Sequence, residues 1–106
     1  TMGKVVKNDW TGSINGSTYT TASSAAITPT SGNVWIAITI LTDTVFDSAS
    51  GLVAESATTY INTEGIGAGA AGIVVDSVTF PKGVTIYGRW TEIDVTSGTI
   101  VAYQGI

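Results

Sequence analysis

Apolar and polar positions alternate along this chain with a period of two, and nowhere with the three-to-four spacing of an amphipathic helix. Val34, Ile36, Ile38 and Ile40 share one parity, with Trp35, Ala37, Thr39 and Leu41 on the other. Both faces of this strand are apolar. It is therefore expected to be covered on two sides, in the middle of a sandwich or against another subunit. Thr42 to Phe46 extends it past a bend. Ile73–Phe80, Val84–Val95 and Ile100–Tyr103 are further β-branched and aromatic runs that predict strands.

Turn signals punctuate these runs. Asn15-Gly16 predicts a tight hairpin turn, because both residues tolerate positive φ. Pro29-Thr30-Ser31-Gly32 and Asp47-Ser48-Ala49-Ser50-Gly51 predict a turn and a loop, while Pro81-Lys82-Gly83 and Ser97-Gly98 predict the reversals of two consecutive hairpins. Leu52–Ile61 is ambiguous: Thr58 to Ile61 favours strand, and Leu52 to Ala57 fits a single helical turn. Along the fourth run Val84, Ile86, Gly88 and Trp90 share a face, but Ile93 and Val95 have the opposite parity. A bulge near Thr91-Glu92 accounts for the flip, since one extra residue turns over every later side chain.

About seven to nine short strands without a helix of three turns predict an all-β, single-domain antiparallel β-sandwich, jelly-roll-like. Residues 1–28 read as an extended N-terminal arm or small hairpin, and residues 29–106 as the sandwich domain. The arm from Thr1 to Thr28 is the segment expected to lace onto a neighbour.

Composition narrows the chemistry. The chain has no Cys and no His among its 106 residues, which removes disulfides, thiolate nucleophiles and imidazole-dependent triads. Charged residues are only 11% and the net charge is −4, with Lys4, Lys7, Lys82 and Arg89 the sole cations, so no basic patch for nucleic acid can be drawn. Trp10–Thr42 contains no ionisable acid or base other than tyrosine, and the same holds for Gly65–Val75 and Val95–Ile106. Much of the surface is consequently neutral hydroxyl, backbone and apolar atoms, a skin suited to protein contact; the alternative is a Thr/Ser-rich surface that merely tolerates water. The longest apolar run, Val34–Leu41, is too short for a membrane helix, and no charged segment followed by an apolar one opens the chain. Thr1-Met2 reads as the trace of a removed initiator or as a cloning scar.

Few residue groups offer a site. Gly67, Gly69 and Gly72 match a dinucleotide fingerprint, but the β-branched sequel ending at Pro81 supplies no helix to face a pyrophosphate, so Gly65–Gly72 reads as a Gly/Ala loop. Glu92 with Asp94, and Asp43 with Asp47, are loose carboxylate pairs without a calcium-loop pattern, and are expected to be solvated charges. Arg89 is placed to stack on a ring or to pair with Glu92 or Asp94 of a neighbour. Trp10, Trp35, Trp90, Tyr19, Tyr60, Tyr87 and Tyr103 suit either core and interface packing or a carbohydrate-stacking platform.

The segment Phe80-Pro81-Lys82-Gly83-Val84-Thr85-Ile86-Tyr87-Gly88-Arg89-Trp90-Thr91 and the closing Ser97-Gly98-Thr99-Ile100-Val101-Ala102-Tyr103 resemble the C-terminal end of small virion proteins of tailed bacteriophages, particularly those of aquatic hosts. The pattern is Pro or Ala, any residue, Gly, then Ile-Tyr-Gly-Arg-aromatic-Thr, followed by a Ser-Gly-x-x-x-Ala-Tyr closure. It covers about a quarter of the chain, and it contains no catalytic residue to carry over. The resemblance implies a non-enzymatic capsid decoration or cement protein on the virion surface, made in the host cytoplasm. Its expected partners are the major capsid protein and further copies of itself, in a homotrimer; no cofactor, metal, nucleic acid or membrane is expected. Candidate interface residues are Trp10, Tyr19, Trp35, Tyr87, Arg89 and Trp90. The alternatives are a fibre, spike or head-knob component contacting host glycans, and a carbohydrate-binding module.

Overall fold

A computed structural model describes residues 14–64 and 72–106. Among these there is no helix, and the strands are β1 (Gly16–Thr21), β2 (Val34–Phe46), β3 (Leu52–Ala54), β4 (Thr85–Ile93) and β5 (Val95–Gly105). They form one five-stranded sheet in the order β1-β5-β2-β4-β3. Every neighbouring pair is antiparallel. The all-β, antiparallel expectation holds at this level.

β2 is the central strand of the sheet and runs through to Phe46, but the expected cover on both of its faces is not found among the described residues, where Leu41 is 42% exposed. The strand cannot be straight. Trp35 pairs with Trp90, and Phe46 pairs with Val95. Trp90 and Val95 are so close in sequence that their Cα atoms lie within about 17 Å, whereas an extended Trp35–Phe46 segment would span about 36 Å. The sheet therefore bends, and the two ends of β2 lie closer together than an extended strand would place them. Register shifts on β2 at Trp35/Ala37, Ile40/Thr42 and Thr42/Val45 supply the bend.

The curled sheet encloses Trp35, Ile38, Ile40, Phe46, Leu52, Trp90, Ile93, Val95, Ile100 and Ala102, with Ile27, Ile61, Val75, Phe80, Val84 and Ile86 packed against them. Strict alternation placed Trp35 opposite Ile38 and Ile40. The bulge at Ile36 instead brings all three into the core and leaves Ile36 half-buried. The predicted break in β4 is present: Val53 faces Glu92 and Ala54 faces Trp90, so Thr91 is the extra residue and both Trp90 and Ile93 are buried. Gly88 lies beneath the Trp90 indole; a Cβ there would sit 2.7 Å from its Cζ2.

Several local readings are corrected. Asn15-Gly16 is not a hairpin turn: the Asn15 amide donates to the Gln104 carbonyl, and Gly16 starts β1 opposite Gln104. Pro81-Lys82-Gly83 does not reverse the chain. Phe80 pairs with Thr44, and Thr85 pairs with Thr39, so the chain keeps one register along β2 across the Pro-Lys-Gly segment. Ser97-Gly98 is likewise interior to β5, which runs unbroken past the expected hairpin into Ile100–Tyr103. Both glycines have positive φ, 91° at Gly83 and 99° at Gly98. Positive φ serves bulges as well as turns.

Ile73–Phe80 is not a strand. Only Phe80 finds a bridge on β2, and Ile73 is 81% exposed. β-propensity without an edge to pair with does not make a strand. The assignments within Leu52–Ile61 are exchanged, because Leu52–Ala54 pairs with β4 while the Ser56 carbonyl accepts from Thr59 and Tyr60 in a turn. The turn at Gly32 (φ 88°) and the loop Asp47–Gly51, tied by Asp47 Oδ2 accepting from the Ala49 and Ser50 amides, form as expected.

Candidate interaction face

Antiparallel register dictates which side chains share a face. Ile38 lies opposite Ile86 and Ala102, and Ile40 opposite Ile100, so these point into the core. The intervening residues must point outward. One outward row is Ser17, Tyr103, Ala37, Tyr87 and the next is Tyr19, Val101, Thr39, Thr85, each crossing β1, β5, β2 and β4. Thr21 and Thr99 extend the face along β1 and β5. The Thr39 and Thr85 hydroxyls hydrogen-bond at 3.0 Å, which fixes both on this side.

None of these ten residues carries a charge at neutral pH. Tyr19 is 65% exposed and Tyr87 is 62% exposed. Ala37, between Tyr103 and Tyr87, has no exposed surface. The charged groups lie beyond the ends of the face. At one end Asp43 Oδ1 accepts from the Lys82 amide at 3.0 Å. At the other, past Tyr87, Arg89 Nε and Nη2 donate to Glu55 at 2.6 and 3.3 Å, and Nη1 donates to the Ile106 carbonyl at 3.0 Å. The Arg89 bond holds the Glu55 carboxyl below its usual range and raises the Arg89 guanidinium above its own.

The sequence-derived site residues separate into distinct groups. Tyr19 and Tyr87 belong to the outward face, and Arg89 borders it, paired with Glu55 of its own chain. Trp35 and Trp90 are core residues, 1% and 0% exposed, whose indole N–H groups donate to the Ile27 and Ile61 carbonyls at 3.3 and 2.8 Å. Neither indole is available to a partner or a sugar. Trp10 and most of the Gly65–Gly72 segment lie outside the described residues.

Among the described residues no group of three or more Asp and Glu side chains is arranged to hold a metal ion. Asp47 is held below the usual carboxylate range by the Ser50 and Ala49 amides, so its role is to close the loop. Sequence reasoning missed Tyr103, Val101, Thr39 and Thr85 as partners of Tyr19 and Tyr87. Parity marks the members within each strand, but only the register places the strands side by side.

Among the described residues, fold and face together define a class: an all-β protein in which one antiparallel sheet buries one side and presents an uncharged, tyrosine- and threonine-rich side. Comparison with protein-family models, curated proteins and solved structures finds no match to this chain. No described helix is long and apolar enough to cross a membrane.

Proposed function

We propose that this chain is a non-enzymatic binding protein that docks through its outward sheet face, and that its partner is the outer surface of a tailed-phage capsid, which it decorates and cements. The observation that carries the reading is the four-strand-wide face of Tyr19, Tyr87, Tyr103, Val101 and threonines, free of ionised groups. Tyrosine supplies large contact area with few rotatable bonds, and depletion of charge marks the centre of protein interfaces. The capsid assignment comes from the sequence resemblance, and with it come the virion location and the homotrimer. We read the curled sheet as a minimal jelly-roll-like sandwich, because the two halves of β2 close over one core. Binding that bridges adjacent capsid subunits stabilises the shell by mass action, since it favours the assembled state.

Co-sedimentation with expanded heads of the phage that encodes the chain tests this. Saturable binding that Tyr19→Lys and Tyr103→Lys each weaken at least about tenfold supports the docking face; absence of binding at about 10 μM overturns the capsid assignment.

One observation favours a second reading, contact with host glycans. Tyr103 and Tyr87 stand two strand spacings apart, about 10 Å, which approximates the repeat of alternate rings in an extended polysaccharide. Glycan binding abolished by Tyr103→Ala, without capsid binding, would establish that reading in place of cementing.

A further inference from the structure

We infer that the β1 edge is a self-association surface on which a second copy of this chain adds its own β1, antiparallel and centred on Tyr19. The inference does not depend on the functional reading above. An unpaired strand edge is a template for further pairing, and proteins usually blunt it with charge, proline, a bulge or extreme shortness. β3, at the opposite edge, is blunted: it has three residues and is followed by Glu55, which Arg89 holds.

β1 has none of these protections. It is Gly-Ser-Thr-Tyr-Thr-Thr, six residues with no charge and no proline. Its pairing with β5 is the one pairing among the described strands without a register shift.

The direction of its backbone groups follows from one hydrogen bond. Ala22 donates to the Gly98 carbonyl, in the same register as Thr21 opposite Thr99. Hydrogen-bonded pairs alternate along an antiparallel ladder, so Thr20 and Thr18 bond to β5 while the N–H and C=O groups of Ser17, Tyr19 and Thr21 point away from the sheet. Of these outward groups the Thr21 carbonyl accepts from the Ser24 amide at 2.9 Å; the other five have no backbone partner among the described residues.

The occupant follows from the symmetry of that set. The three outward residues are spaced evenly about Tyr19, so a second β1 placed antiparallel puts Tyr19 opposite Tyr19 and Ser17 opposite Thr21 at both ends. This register makes about four backbone hydrogen bonds, since each Thr21 carbonyl is already held by Ser24. All three side chains lie on the uncharged outward face, so the two-fold brings no like charges together. The contact is isologous and closes at two copies, which distinguishes it from a threefold arrangement.

Sedimentation velocity over a concentration series, with circular dichroism to confirm folding, tests both the surface and the register. The full chain is expected to show a concentration-dependent monomer–dimer equilibrium. Ser17→Lys with Thr21→Lys places lysine opposite lysine twice and is expected to weaken the dimer about tenfold. Ser17→Lys with Thr21→Glu places lysine opposite glutamate and is expected to restore association to within about threefold of the parent at low salt. Tyr19→Pro removes an outward N–H at a position where an edge strand tolerates proline, and is expected to abolish the dimer while leaving the circular dichroism spectrum unchanged. A chain that stays monomeric to about 500 μM overturns the proposal, because the edge is then capped within the chain. A dimer unaffected by the double-lysine variant, or one that the Lys/Glu variant fails to restore, overturns it equally.

Discussion

Gly83 and Gly98 share a backbone conformation but not an environment. A Cβ at Gly83 would meet nothing within 4 Å, whereas one at Gly98 would collide with the Asp43 carbonyl and with Thr44. Gly83→Ala is therefore expected to cost about 1 kcal/mol, the left-handed penalty alone, and Gly98→Ala about 3 kcal/mol or more, because backbone must also move; urea denaturation of the two variants reads the difference. Trp90→Phe removes the donor to the Ile61 carbonyl as well as core volume, so a loss of about 2–3 kcal/mol is expected.

Asp47 and Glu55 contribute to the acid limb of stability. Both have folded-state affinities for protons below the unfolded values. Their contribution is present above the ordinary carboxylate range, near about pH 4, and is lost as pH falls through the lower folded values. The melting temperature should accordingly drop on acidification below about pH 4, and Asp47→Asn should show a smaller drop than the parent.

At the scale of elements, the bulge at Thr91 is the sharpest feature that sequence parity revealed. Its consequence can be measured. Unbroken alternation from Trp90 would put Ile93 in solvent, but the extra residue buries it completely. Ile93→Ala is expected to cost about 2–4 kcal/mol, while Thr91→Ala at its exposed position costs under about 1 kcal/mol; equal, small effects would contradict the register. The two consecutive hairpin turns that sequence reading expected failed for one reason. Pro81-Lys82-Gly83 and Ser97-Gly98 have the residues of hairpin turns, yet the first leads into β4 without a change of register on β2 and the second lies inside β5 opposite the register shift between Thr42 and Val45. Only the partner strand distinguishes a hairpin turn from a chain that runs on, and for both segments that partner is β2, about 40 or more residues away in sequence from its counterparts.

At the scale of the molecule, the sheet has one buried and one presented side, and the presented side is neutral. Binding through such a face should depend weakly on ionic strength, since no ion pairs are screened. The affinity for the partner, measured at about 50 and 500 mM salt, is expected to change less than about threefold; a steep loss would place the contact on the charged ends at Arg89 or Asp43 instead. Tyr19→Ser and Tyr103→Ser should lower partner affinity with stability changes of no more than about 1 kcal/mol, because exposed side chains contribute little to the core.

The amino-acid order alone determined the strand character of Val34–Phe46 and of Val84–Val95, the parity break before Ile93 and the absence of thiol and imidazole chemistry. These are local properties, carried by alternation and residue type. The curl of β2, the continuity of β5 through Gly98, the burial of Trp35 and Trp90, and the gathering of Tyr19, Tyr103 and Tyr87 onto one face were decided by tertiary structure. Alternation states that a residue faces one side of its own strand; which side becomes core depends on strand order, and strand order is a property of distant pairings that no short segment contains.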